Sequence, residues 1–260
     1  MSLNLKNIPI VSGVEVFISS SELFEANTLE TLKSLLCKNY LLLLRNQSLN
    51  EESFIRLAEI FGEPIPSLMP LHRLEHYPMI SKFTNTKDQN GGAAPEYVFH
   101  SDGYFTPNPN KITLLYSLKS PTSGGETCFI NMCSVYQALD NSMKEFLQDK
   151  QVNYKNVYIN QPPVKHPCIR IEPSTKEKAL FINKYKALGI EGIETNEALN
   201  IINKLYEFST QDQFIYKHFW RNGDVAIWHN PTTMHCATPI SDSETRLLYR
   251  ILTKGDLPVI

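Results

Sequence analysis

Strand-like segments crowd the middle and the C-terminal part of this chain, and they do not alternate regularly with helices. Short apolar or alternating runs fall near 8–20, 40–45, 79–83, 96–100, 112–118, 126–131, 224–228 and 246–254, with mixed strands and turns across 150–190. Apolar spacing of the helical period marks four helices. The first opens at Asn27-Thr28-Leu29-Glu30 with Thr28 as its N-cap, the second runs from Asn50 to Phe61 and stops at Gly62, the third runs from Ser134 to Gln148, and the fourth from Glu194 to Phe208. A doubly wound parallel sheet needs a crossover, normally a helix, between successive parallel strands. Many strands with few helices predict instead an α+β, mainly β chain on a double-stranded β-helix (jelly-roll, cupin-like) core. The helices flank that core or lie in an insertion between its strands.

The 260 residues are 42% apolar and 20% charged, enough to bury a sizeable core, and no linker or repeat divides them. One domain over 1–260 is expected. The net charge of −2 is scattered, which leaves no electrostatic footprint for nucleic acid. Five cysteines without a CxxC pair point to reduced thiols. The longest apolar run, Tyr40 to Leu44, is far too short to span a bilayer, and the N-terminus lacks a basic segment followed by an apolar one. A cytoplasmic protein with no membrane partner is expected.

The chemistry centres on His100-Ser101-Asp102. Residues i and i+2 of a strand share a face, so both outer side chains are expected to reach one metal ion, with Ser101 turned away. The tripeptide alone describes a surface histidine and a turn aspartate equally well. His235, just beyond the apolar strand Val225-Ala226-Ile227-Trp228, supplies a third donor. Two histidines and one carboxylate with open positions form the ligand set of non-haem Fe(II) oxygenases. The same set suits Zn(II) in a hydrolase, and a non-catalytic small-molecule-binding module on the same scaffold is a third reading.

Further segments carry a resemblance. Tyr40–Gln47 with the helix ending Ala58-Glu59-Ile60-Phe61-Gly62, Ser123-Gly124-Gly125-Glu126-Thr127, Lys165-His166-Pro167 with Arg170 and Phe181-Ile182-Asn183, and Gly223-Asp224-Val225-Ala226-Ile227-Trp228 stand in order around the histidines and the aspartate. Together they resemble the taurine dioxygenase (TauD/TfdA-like) family over about residues 40–255. The resemblance implies an Fe(II)/2-oxoglutarate-dependent dioxygenase that uses O2 and releases succinate and CO2 as it oxidises a C–H bond. It implies His100, Asp102 and His235 as iron ligands, Arg246 as partner of the far 2-oxoglutarate carboxylate, and Thr127 as its hydroxyl support. A planar guanidinium suits that carboxylate. The family also suggests a dimer or tetramer.

Arg250 follows Arg246 by one strand repeat of four and is the candidate anchor for an anionic small-molecule substrate. A second cosubstrate contact or a structural ion pair are its alternatives. His72 falls where the family places a substrate-contacting histidine, with His76 close enough to compete and a plain surface loop as the rival for both. Glu96 could look into the pocket and meet a substrate amine, or make a salt bridge in solvent. An amino-acid-derived acid is the substrate these residues favour. Tyr104 and Phe105 could wall the pocket or belong to the core. Asp88–Gly92 reads as a lid-like loop. Where the family commonly has Asp-Asn-Arg after the tryptophan, this chain has His229-Asn230-Pro231, so local hydrogen bonds must differ there; His229 as a fourth ligand is disfavoured.

Overall fold

A computed structural model describes residues 3–86, 97–156 and 160–256. The strands are β1 (Asn4–Ile8), β2 (Gly13–Phe17), β3 (Leu41–Leu44), β4 (Pro64–Ile65), β5 (Ser81–Thr84), β6 (Ile112–Lys119), β7 (Thr127–Asn131) and β8 (Gln151–Tyr154). They continue with β9 (Val164–Pro167), β10 (Ile169–Ile171), β11 (Lys178–Leu180), β12 (Ala187–Ile190), β13 (Ile215–His218), β14 (Val225–His229), β15 (Thr233–Ala237) and β16 (Leu247–Thr253). The helices are α1 (Ala26–Lys38), α2 (Glu51–Glu59), α3 (Met132–Ala138), α4 (Asn141–Leu147) and α5 (Thr195–Ser209).

One large sheet runs in the order β1-β2-β3-β14-β6-β16-β4, with β5 also on β16; a small sheet, β13-β7-β15, faces it. This is the double-stranded β-helix. Between β7 and β13 the chain inserts α3, α4, β8–β12 and α5, which bury a second core together with Tyr40, Tyr104, Ile130 and Met234.

Strand parity explains the leucine run of β3. Leu42 and Leu44 pack with the α1 and α2 side chains Leu32, Leu36, Phe54 and Leu57. Leu41 and Leu43 pack between the sheets with Phe129, Ala226 and Trp228. Both faces are covered, so the strand reads as continuously apolar rather than alternating. The same parity puts Leu115 and Leu248 inward while Leu114 and Ile251 face the helices.

Two motif segments prove structural. Arg45 Nη1 donates to Asp224 at 2.6 Å and its Nη2 meets Glu15, tying β3 to the turn before β14. In that turn Gly223 has φ +85, and a Cβ there would stand 2.6 Å from Gln47 O, so only glycine fits.

Three expectations are corrected. The first helix starts at Ala26, and Thr28 is a buried residue inside it rather than its cap. The Ser134–Gln148 helix is broken: Leu139 is extended, and Asp140 caps a new helix by accepting from Met143 N at 2.7 Å. No strand covers 97–100; His100 makes only an isolated bridge to His235. No helix among the described residues is long and apolar enough to cross a membrane.

Candidate active site

The small sheet turns Thr127, Phe129 and His235 toward the large one, which answers with Thr113 and Arg250. His235 lies on β15 with its ring against Trp228, centroids 4.6 Å apart, and near Phe129. His100 exchanges both backbone hydrogen bonds with His235, His100 N to His235 O at 3.0 Å and His235 N to His100 O at 2.8 Å. The rings meet at 4.4 Å.

Beyond His100 the chain turns instead of continuing as a strand, so the face-sharing argument for the pair does not describe it. Side-chain amides take the place of a strand partner. Asn183 Oδ1 accepts from Ser101 N at 2.8 Å, Asn230 Oδ1 accepts from Asp102 N at 2.7 Å, and Asn230 Nδ2 donates back to Asp102 O at 2.8 Å. The carboxylate thereby comes to 4.0 Å from His100 Nε2 and 3.8 Å from His235 Nε2. One donor atom from each of the three lies within 4.8 Å of the others, and all three residues are buried.

This set suits a divalent cation. His100 Nδ1 donates to Val98 O at 2.8 Å, which leaves Nε2 as the lone-pair nitrogen facing Asp102. Burial raises the Asp102 pKa, but Arg250, His235, His100 and the Thr113 hydroxyl outweigh it and hold the carboxyl down at about 2. Thr113 Oγ1 donates to Oδ2 at 2.8 Å. Burial, then the neighbouring His100, holds His235 down at about 3 and therefore neutral. An ionised carboxylate and a neutral imidazole are the forms that bind metal. His229 lies outside this group: its Nδ1 shares a hydrogen bond with Thr232 Oγ1 at 2.9 Å, and its Nε2 is 3.5 Å from Glu172.

Arg246 just precedes β16 and is 5% exposed. Its Nη2 donates to Thr127 Oγ1 at 3.1 Å, and the same oxygen accepts from Trp220 Nε1 at 3.0 Å. Gly125, at φ +67, lets the arginine pass close; a Cβ there would meet its Cδ at 3.2 Å. Burial lowers Arg246 to about 10, which leaves it charged at neutral pH, and among the described residues it forms no ion pair. Arg246, Thr127, His100, His235 and Arg250 line one small pocket.

Arg250 Nη1 donates to Asp102 Oδ1 at 3.1 Å, and its guanidinium lies over Phe83 at 4.4 Å. It also lines a second cavity of about 360 Å³ with His100, Asp102, Met69 and Phe105. His100 and Arg250 are thus common to both spaces. His72 sits behind this wall, its ring 6.3 Å from Phe83, and lines neither cavity. Burial, then the Arg250 charge, lowers its pKa. His76 is exposed. Tyr104 is buried against Tyr154 in the insertion core, whereas Phe105 reaches the cavity. Glu96 and the Asp88–Gly92 segment lie outside the described residues.

Sequence reasoning passed over Thr113 and Phe83. Their roles depend on register: Thr113 pairs with Trp228 across β6–β14, and Phe83 with Leu248 across β5–β16. No local pattern announces either. Asn183 and Asn230 stand inside noted segments, but nothing local shows that they hold the backbone of 101–102.

The family model "Taurine catabolism dioxygenase TauD, TfdA family" matches residues 7–252. A (S)-phenoxypropionate/alpha-ketoglutarate-dioxygenase of Sphingobium herbicidovorans is 24% identical, over 95% of this chain and 91% of its own. An alpha-ketoglutarate-dependent 2,4-dichlorophenoxyacetate dioxygenase of Cupriavidus pinatubonensis is 26% identical, over 95% and 96%. The crystal structure of a taurine dioxygenase from Burkholderia xenovorans superposes with a TM-score of 0.88 at 23% identity, covering 100% of this chain and 91% of that one. With a buried, metal-capable His-Asp-His group in the same fold, the chain belongs to the TauD/TfdA family of dioxygenases, oxidoreductases that use Fe(II), 2-oxoglutarate and O2.

Proposed function

We propose that this enzyme oxidises a C–H bond of a small organic anion, by hydroxylation or a related oxidation. The observation that carries the proposal is the placing of three groups: a metal-capable triad in the middle, a buried arginine with no ion pair among the described residues on one side, and Arg250 facing the 360 Å³ cavity on the other.

His100, Asp102 and His235 would hold the iron. Bound Fe(II) and 2-oxoglutarate supply O2 activation and the oxidising equivalents, the keto acid leaving as succinate and CO2. Arg246 and Thr127 bind the far carboxylate of the cosubstrate and fix its orientation. Thr113 and Arg250 keep Asp102 ionised, and the Val98 carbonyl fixes the His100 tautomer. Trp228 and Phe129 pack around His235 and keep water from its far side.

Arg250 then serves the substrate. Stacking on Phe83 fixes its guanidinium plane, so little freedom is lost when a carboxylate docks. Relatives named for phenoxypropionate and dichlorophenoxyacetate support an anionic substrate. The preference for an amino-acid-derived acid rests on Glu96 as the partner of an amine.

The test is succinate release across paired substrates, each acid beside its uncharged amide. We expect the acids to drive turnover, and Arg250→Met to raise their KM about 10- to 100-fold, the value of a charge-assisted hydrogen bond. The same variant should still decarboxylate 2-oxoglutarate slowly without substrate. Turnover by amides alone would remove Arg250 as the anchor.

A further inference from the structure

A further cavity, of about 350 Å³, opens on the other side of the β14–β15 connection and shares no lining residue with the two spaces of the active site. Its size is within the range of small-molecule sites. Leu36, Phe61 and Ile112 give it apolar walls, and Arg170, Glu172 and His229 form a polar end.

Arg170, on β10, is 6% exposed, and its Nη1 is buried without a hydrogen-bond partner. Among the described residues it forms no ion pair, and the Phe181 ring lies 4.6 Å from its guanidinium carbon. A buried charge without a counter-charge is costly, and a ring face offsets only part of that cost. Glu172 is close by but engaged: its Oε2 accepts from Ser174 N and Thr175 N, both at 2.7 Å, and its Oε1 faces His229 Nε2. His229, the third group of this polar end, is a histidine and brings no carboxylate to answer Arg170. Lys33 and Lys111 add positive charge at the mouth, each already paired with a surface acid.

We propose that this cavity is a binding site for a small carboxylic acid with an aryl or short alkyl body, its carboxylate on Arg170 and its body against Leu36, Phe61 and Ile112. The guanidinium fork fits a carboxylate, and the walls fit the apolar remainder. Cys37 lies at the rim and is exposed, while the other four cysteines are buried, so the site carries its own reporter.

The experiment uses the enzyme loaded with Fe(II) and 2-oxoglutarate under anaerobic conditions, with benzoate as probe. Two readouts are followed: calorimetric binding, and the rate at which a thiol-reactive disulfide labels Cys37. Benzoate should bind and slow the labelling, Arg170→Met should weaken the protection of Cys37 at least about tenfold, and Arg250→Met should leave that protection unchanged. Loss of both effects in Arg250→Met with retention in Arg170→Met would place the acid in the active site and overturn the proposal. So would undiminished labelling of the wild type under saturating benzoate. Should Arg170→Met fail to fold, benzyl alcohol decides the matter on the wild type. Protection equal to that by benzoate overturns the role of the carboxylate, and absence of protection supports it.

Discussion

Arg246 and Arg170 are alike in themselves and differ in their surroundings. Both are buried, both are lowered to about 10 by burial, and neither forms an ion pair among the described residues. Arg246 is met by a hydroxyl, Thr127, and shares its pocket with His100 and His235. Arg170 is met by an aromatic face, and the groups beside it are a satisfied carboxylate and a histidine outside the metal-capable triad. Desolvated guanidinium prepares each place for an anion. On the two proposals, distance from the triad sets the fate of that anion: beside the triad it is consumed, away from it the anion is only held.

The largest effect tests the first half of that contrast. His100→Ala, Asp102→Ala or His235→Ala should reduce succinate release to background and abolish the weak visible absorption of the anaerobic enzyme with Fe(II) and 2-oxoglutarate. Protection of Cys37 by benzoate should survive in all three. A triad variant with ordinary turnover would dissolve the distinction between the two arginines. Next in size is Arg246→Met, expected to raise the KM for 2-oxoglutarate about 10- to 100-fold, since it removes charge-assisted hydrogen bonds. Arg170→Met should leave that KM unchanged; an equal rise in both variants would mean that the two regions are not independent. A smaller change is expected from Thr127→Val, about fivefold in the same KM, as for one ordinary hydrogen bond. It also deprives Trp220 Nε1 of its acceptor, so thermal stability should be read beside the kinetics.

How far the sequence carries depends on whether a feature is local or made by register. The leucines of β3, the strand Val225–Trp228 and the apolar spacing of α2 are local patterns, and each forms the expected element. The jelly roll followed from many strands without crossovers. The break at Leu139 was also local, since Asp140 followed by Asn141-Ser142 is a capping signal, but apolar spacing on both sides of it masked the stop. The turn at 101–102 was not legible. Its shape depends on Asn183 and Asn230, which come from the insertion and from the β14–β15 connection. Thr113 behind Asp102 and Phe83 beneath Arg250 belong to the same class, because only strand pairing brings them there. Arg170 stood in a noted segment, but that it is buried and forms no ion pair among the described residues required the structure.

The smallest effect concerns protons on the Arg170 side. His166 is buried, its Nε2 hydrogen-bonds Thr106 O at 2.9 Å, and burial first, then the Arg170 charge, lowers its pKa from 6.5 to about 4. A histidine with a depressed native pKa takes up its proton in the unfolded chain before the folded one. Its contribution to stability is therefore complete above about pH 6.5 and is lost as the pH falls toward 4. Urea unfolding of the metal-free protein across that window should show stability falling with acidity, by at most about 1.4 kcal/mol per pH unit for one such group. His166→Gln should flatten the slope. Arg170→Met should flatten it less, because it removes only the second of the two causes and leaves the burial. A slope unchanged by Arg170→Met would mean that the Arg170 charge is already neutralised in the resting protein. The cavity would then differ from the Arg246 pocket in the one property that makes them comparable.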